Sequence, residues 1–209
     1  MSIVTIYDDI LSPEEADFFD KAFNDPYIDW YWLQVGTVAP YYNEVDGDEN
    51  TIEYPQLTHT IVKDGKSTKS RRYPEFAKLL NAFFDRTRNP YTKIVRARIN
   101  LQPQFNGSDS YFYNTPHFDG VEQPHMVLLY YPIDSDGDTY IFNRQHGDPK
   151  PEKYEILETI TPKKGRFALF DGKWFHTGRH PAKSKSRLVL NVNLKLPDIE
   201  KEQSFSKFN

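Results

Sequence analysis

Residues 113–120 read YNTPHFDG. An imidazole at His117 and a carboxylate at Asp119 stand two positions apart, with Phe118 between them. In an extended chain, positions i and i+2 point to the same face. The spacing therefore predicts a strand over 111–118, with His117 and Asp119 turned one way and Phe118 the other. By itself His-x-Asp is a short pattern that suits a hydrogen-bonded pair as well as a metal site. The flanking sequence decides between the two.

After Pro90 the chain reads as successive strands: 93–101 (KIVRARINL), 125–131 (HMVLLYY), 138–143 (DTYIFN), 154–160, 166–171 (RFALFD) and 187–196 (RLVLNVNLKL). Turn-forming clusters separate them: FNGSD, DSDGD, HGDPKPE, TPKKG and HPAKSKS. In the last run Leu188, Leu190, Val192, Leu194 and Leu196 share one face, and Arg187, Asn191 and Asn193 share the other, the pattern of a half-buried strand. Ahead of Pro90 the texture differs. SIVTIY at 2–7 predicts a short strand. Ser12-Pro-Glu-Glu supplies a cap, a proline at the first helical position and acids in the first turn, which predicts a helix over 13–24. YPEFAKLLNAFFDR at 73–86 predicts a second. Between them, 25–70 holds many aromatics and the acidic piece NEVDGDEN, and is expected to be irregular with short strands. Helices followed by many short strands predict an α+β chain, mainly β with packed helices, built as a sandwich or barrel.

The chain has 209 residues, which favours one domain. It carries no cysteine, so disulfides, thiolate metal sites and a cysteine nucleophile are excluded. A net charge of -4 gives no bulk attraction for nucleic acid or anionic lipid. No apolar run approaches the ~18 residues that span a bilayer, and the opening MSIVTIYDDILSPEEADFF lacks a basic segment followed by an apolar one. The expected location is cytoplasmic, without a membrane partner.

Imidazole and carboxylate both ligate divalent iron, and two histidines with one carboxylate leave positions open for other ligands. The third donor is sought on another strand. His176, in RFALFDGKWFHTGRH at 166–180, closes a strand-like run, and Arg187 opens the last long strand eleven residues later. Arginine is suited to grip a carboxylate with two hydrogen bonds. Other candidates fit less well. His180 follows Gly178 and precedes Pro181, which favours a turn; His125, His59 and His146 read as structural. Arg179 and Arg166 lie in a turn or at a strand start. Asp134, Asp136 and Asp138 lack the glycine and the final acid of a calcium loop and read as a solvated turn. Lys63–Arg72 reads as a solvated basic loop, and the aromatic stretch 27–42 as packing around the barrel mouth, with a substrate-covering flap as the alternative.

His117-x-Asp119, His176 and Arg187 in this order resemble the iron(II)- and 2-oxoglutarate-dependent dioxygenases, most of all the prolyl 4-hydroxylase-like branch. Matching stretches are Tyr113-Asn-Thr-Pro-His117-Phe-Asp119, VLLYYPID, Gly137-Asp138-Thr139-Tyr-Ile-Phe142, Pro162-Lys-Lys-Gly165-Arg-Phe-Ala-Leu-Phe170 and His176-Thr-Gly-Arg-His-Pro. The resemblance covers 90–196 well and 3–24 loosely. The doublet Gly-Gly of the family is Gly-Asp here, and Arg187 falls one or two places later than usual. What the resemblance implies is a double-stranded β-helix (jelly-roll, cupin-like) with N-terminal helices on one sheet. The domain would divide into a helical and irregular part at 1–89, the β-helix core at 90–197 and a tail at 198–209. It implies Fe(II) held by His117, Asp119 and His176, and 2-oxoglutarate held by Arg187 with help from Tyr131 and Tyr113. It also implies O2 as oxidant, ascorbate as an accessory reductant, and hydroxylation of a C–H bond in a protein, peptide or small molecule, a prolyl residue first. The rivals are a non-catalytic cupin-like barrel that binds a metal or small ligand, and a nucleic-acid demethylase on the same fold.

Overall fold

The computed structural model describes residues 2–34, 49–89, 91, 93–105, 112–120 and 124–195. Its elements in chain order are β1 (Val4–Tyr7), α1 (Pro13–Phe23), β2 (Tyr31–Leu33), β3 (Gln56–Lys63), β4 (Lys66–Ser67), α2 (Tyr73–Thr87), β5 (Lys93–Pro103), β6 (Met126–Tyr130), β7 (Thr139–Gln145), β8 (Ile156–Ile160), β9 (Phe167–Asp171), β10 (Trp174–Gly178) and β11 (Ser186–Lys195).

Both helices form where the sequence places them. Ser12 accepts from the Glu15 amide at 3.3 Å while Glu15 accepts from the Ser12 amide at 2.9 Å, so the first turn of α1 closes on itself. The apolar stripes are Phe19 and Phe23 on α1 and Phe76, Leu79, Leu80 and Phe83 on α2, all buried. Each such side chain contributes about 1.5–3 kcal/mol of burial.

The stripes pack on an eight-stranded antiparallel sheet ordered β1-β9-β6-β11-β5-β3-β2, with β4 beside β3. Its outer face offers Ala97, Ile99, Leu128, Tyr130, Phe167, Leu188, Leu190, Val192 and Leu194 to the helices. A three-stranded sheet, β10-β7-β8, covers part of the inner face. There Val127, Leu129, Tyr131, Ala168, Phe170 and Val189 meet Ile141 and Ile160. This is the double-stranded β-helix expected, mainly β with both helices on one sheet.

Four local expectations change. First, 25–70 contains an eight-residue internal strand, β3, paired with β5 and β2. Its apolar signal is diluted because Gln56 and Thr58, both buried, turn toward the polar inner side, where the Thr58 hydroxyl donates to Asn100 at 2.9 Å. Second, the described part of 111–118 makes only isolated bridges, at Tyr113 and His117. Pro116 has no N–H to give a continuous ladder. Third, the strand expected at 166–171 forms as β9, but His176 lies on a further strand of its own. The chain leaves the large sheet after Asp171, turns at Gly172 and Lys173, and enters the small sheet as β10. A side chain at Gly172 would collide with the His125 ring. Fourth, the Asp134–Asp138 turn is a clamp rather than a solvated loop. The Asp136 carboxylate accepts the amides of Ala182, Lys183 and Ser184 at 3.1, 2.9 and 2.9 Å. Tyr41, Tyr42, the turn at 106–109 and the tail 198–209 lie outside the described residues.

Candidate metal centre and its cavity

The His117 backbone forms a two-way bridge with that of His176, amide to carbonyl at 3.1 Å and 2.7 Å. A segment without strand structure is thereby docked on β10, and the two imidazoles lie with centroids 5.1 Å apart. Asp119 follows within the same loop, and Nε2 of His176 lies 3.9 Å from its Oδ2. One donor atom from each of His117, Asp119 and His176 lies within 4.8 Å of the others.

Both rings are oriented from behind. Nδ1 of His117 meets the Thr115 carbonyl at 2.9 Å, and Nδ1 of His176 meets the Trp174 carbonyl at 3.0 Å. A carbonyl can only accept, so each Nδ1 carries the proton and each Nε2 presents a lone pair. Nε2 of His176 is buried and has no hydrogen-bond partner. Burial is the main reason both imidazoles are held below their usual range, His117 at about 4, with the neighbouring His176 adding to the effect there. Both are neutral at pH 7.

Asp119 behaves oppositely. Burial alone would raise its pKa, but the Arg96 guanidinium, the two imidazoles and the Asn193 amide outweigh it and hold the carboxyl well below the usual range. Two neutral imidazoles and one carboxylate are the protonation states that metal binding requires. The donor set and the orphaned nitrogen fit a divalent cation.

Arg187, at the start of β11, is almost fully buried and lines the same cavity as the three donors. Its Nε donates to the Gly137 carbonyl at 2.7 Å, Nη1 to Gln102 Oε1 at 2.6 Å and Nη2 to Thr139 Oγ1 at 2.5 Å. All three acceptors are neutral, and no carboxylate among the described residues forms an ion pair with it. Asp138 favours its charged form only from a distance, so a buried guanidinium with neutral hydrogen-bond partners suits an anion in the adjoining space. The cation is seated over Gly178, where a Cβ would stand 3.0 Å from Cζ and from Nη1.

The expected site residues divide. His117, Asp119, His176 and Arg187 come together around one cavity. Tyr131 stands behind it: its hydroxyl meets Thr139 Oγ1 at 2.8 Å, and Arg187 Cζ lies 5.8 Å from its ring. Tyr113 is not brought to the wall; it packs with Phe118, Tyr140, Phe142, Tyr154 and Phe175. His180 packs beside the stacked rings of Tyr54 and Phe105 with Nδ1 on the Pro103 carbonyl at 2.9 Å, and His59 is bonded through both ring nitrogens. Arg166 grips Asp8 with two bonds at 2.9 and 2.8 Å, and Arg179 pairs with the Asp136 carbonyl. Sequence reasoning missed Arg96, Arg98, Asn100 and Gln102, the inner row of β5 that forms one wall of the cavity. Their signal was strict alternation with Ala97, Ile99 and Leu101.

No protein-family model matches this chain, and no curated protein matches it. Solved structures do. An oxidoreductase of the 2OG-Fe(II) oxygenase family from Burkholderia pseudomallei superposes over 92% of this chain and 85% of its own, with a TM-score of 0.61 at 14% identity. SnoN, a non-heme α-ketoglutarate-dependent epimerase from nogalamycin biosynthesis, covers 93% of this chain and 79% of its own at a TM-score of 0.58 and 11% identity. HygX from Streptomyces hygroscopicus, solved with nickel and 2-oxoglutarate, covers 95% and 84% at a TM-score of 0.52 and 13% identity. At such identities the likeness is one of fold.

Proposed function

We propose that this chain is an iron(II)- and 2-oxoglutarate-dependent oxygenase. The observation that carries the reading is one cavity holding both a His-Asp-His donor set and a buried guanidinium with only neutral partners. His117, Asp119 and His176 hold the metal, and Arg187 takes the distal carboxylate of 2-oxoglutarate as a charge-assisted pair. Thr139 and Gln102 fix the plane of that guanidinium, and Tyr131 fixes Thr139. The metal supplies oxygen activation coupled to decarboxylation of the cosubstrate: substrate C–H, 2-oxoglutarate and O2 give substrate C–OH, succinate and CO2. The chain's part is to keep both imidazoles neutral, orient the carboxylate and line a partly closed cavity.

The second substrate meets a wall of Gln56, Arg98, Asn100, Asn114 and Asn191, which favours a hydrophilic molecule. Hydroxylation of a prolyl residue, the finer assignment drawn from the motif order, requires a peptide to present its ring against these amides.

The test is anaerobic titration with Fe(II) and 2-oxoglutarate. A visible charge-transfer band that needs both components is expected, followed by succinate release on admitting O2, with ascorbate as reductant. Metal uptake without that band would leave a metal-binding barrel and refute the oxygenase. Prolyl peptides that fail to stimulate succinate release above the substrate-free rate would refute the prolyl assignment alone.

A further inference from the structure

Asp119 is held from both sides by a closed ring of side chains that no chain-local contact explains. Arg96 on β5 and Asn193 on β11 are direct cross-strand partners, and both turn inward. Nη2 of Arg96 donates to Asp119 Oδ1, and Nε of Arg96 donates to Asn193 Oδ1 at 2.9 Å. Nδ2 of Asn193 donates to Asp119 Oδ2 at 2.7 Å, and Asn191 adds a longer contact to the same oxygen at 3.2 Å. The amide of Asn193 has one workable orientation, because the flipped form would set donor against donor and acceptor against acceptor. The register of β5 against β11 shifts beside this pair, between Asn193 and Leu194. Such irregularities re-aim side chains next to functional sites.

The two carboxylate oxygens are thereby made unequal. Oδ1 is turned to Arg96. Oδ2 is the oxygen 3.9 Å from His176 Nε2. We propose that Arg96 and Asn193 are positioning residues that fix the Asp119 carboxylate in its orientation toward His117 and His176. This inference rests on the oxygenase reading, and it adds which side chains keep the carboxylate from rotating out of the orientation in which it would serve a metal.

Two roles for Arg96 make opposite predictions. If it acted only as a nearby positive charge, it would compete with the metal, and Arg96→Gln would tighten binding. If it positions Asp119, the same variant weakens binding by about tenfold or more, the usual cost of losing a partner that orients a ligand. The experiment is anaerobic titration of the apo-protein with Co(II), read by its d–d absorption, which reports coordination number and needs no turnover. Weaker binding with an altered band pattern in Arg96→Gln is expected; unchanged or tighter binding overturns the proposal. Should Arg96→Gln fail to fold by circular dichroism, Asn193→Ser makes the same test, since it leaves the guanidinium on Asp119. About tenfold weaker Co(II) binding is expected there, and wild-type affinity with a wild-type spectrum overturns it. Wild-type protein that takes up no Co(II) would overturn the oxygenase reading together with this one, whereas wild-type uptake matched by the variants sinks only the positioning role.

Discussion

Gly178→Ala is the sharpest probe of how the cosubstrate end of the cavity is built. Gly178 ends β10 directly opposite Thr139, and the Arg187 guanidinium lies across the pair. A Cβ at this position would stand 3.0 Å from Cζ, 3.0 Å from Nη1 and 3.1 Å from Nη2. Ordinary contact is about 3.5–4.0 Å, so the guanidinium must withdraw by about half an ångström. Its bonds to Gly137, Gln102 and Thr139, at 2.7, 2.6 and 2.5 Å, leave little slack for that. Disturbing one charge-assisted hydrogen bond to an incoming carboxylate costs about 1.5–3 kcal/mol, which is roughly ten- to hundredfold in 2-oxoglutarate affinity. The fold itself should tolerate the change. Gly178 is not among the glycines of positive φ. Its replacement removes about 0.4–1 kcal/mol of unfolded-chain entropy against about 1–3 kcal/mol of overpacking. The expected result is a KM for 2-oxoglutarate raised about tenfold or more, with kcat at saturation nearly unchanged, the signature of lost uniform binding. Succinate formation against 2-oxoglutarate concentration measures it, beside a thermal melt and a Co(II) titration as controls. Wild-type KM in a folded Gly178→Ala protein would mean that Arg187 does not receive the cosubstrate.

His176→Ala should weaken Co(II) uptake by more than about a hundredfold, beyond the cost of losing an orienting partner, while circular dichroism stays that of the wild type; retained uptake would remove His176 from the metal set. The apo-protein should lose stability as pH falls from 6.5 toward 4. Burial holds His117 and His180 at about 4 against an ordinary 6.5, so the unfolded chain takes up protons first, at a cost of about 2 kcal/mol per histidine at pH 5. A urea midpoint equal at pH 7 and pH 5 would contradict this. Ser12→Ala should cost about 1 kcal/mol through loss of the α1 cap and leave Co(II) affinity untouched, as a chemical melt and a titration on the same sample would reveal. Phe83→Ala, fully buried between the helix and the large sheet, should cost about 3–5 kcal/mol; a loss below 1 kcal/mol by urea titration would show that α2 packs elsewhere.

The sequence shows much of this site because its parts sit on different strands in a fixed order, and each part carries a distinct chemical type. His117, Asp119, His176 and Arg187 stand out from apolar surroundings. The path between them is less visible. FALFD is legible as a strand and forms one, but nothing in the aromatic residues shows that WFHTG begins another and that the chain changes sheets between them. The signal was Gly172, where only a hydrogen fits against His125. β3 was missed for a different reason: a strand with one face in an apolar core and the other on a polar cavity has neither a clean apolar run nor a conventional surface pattern. Arg96 escaped because KIVRARINL was read for its apolar positions and not for what alternates with them. Tyr113 drew attention through its place in the motif, but place in a motif does not fix the direction of a ring, and here the ring joins an aromatic cluster.

The uneven cover of the large sheet ties these observations together. Helices pack on its outer face, which is apolar from β9 across to β5. Among the described residues three strands cover its inner face, and the residues under them, on β1, β9 and β6, are apolar as well. Along β11, β5 and β3 the inner residues turn polar: Arg187, Asn191 and Asn193, then Arg96, Arg98, Asn100 and Gln102, then Gln56 and Thr58. The change occurs along single strands; on β11 Val189 belongs to the apolar cluster while Arg187 and Asn193 do not. Charges that go deepest are matched differently at the two ends. Asp119 is met by a cation and two amides, so it is stable without an ion. Arg187 is hydrogen-bonded only to neutral acceptors, with the Asp138 carboxylate acting on it from a distance, which leaves it able to pair with an anion in the cavity. On the oxygenase reading, such a site would take its metal on a carboxylate already in place and its diacid on the Arg187 guanidinium, and changes at Asn193 and at Gly178 would disable the two ends separately.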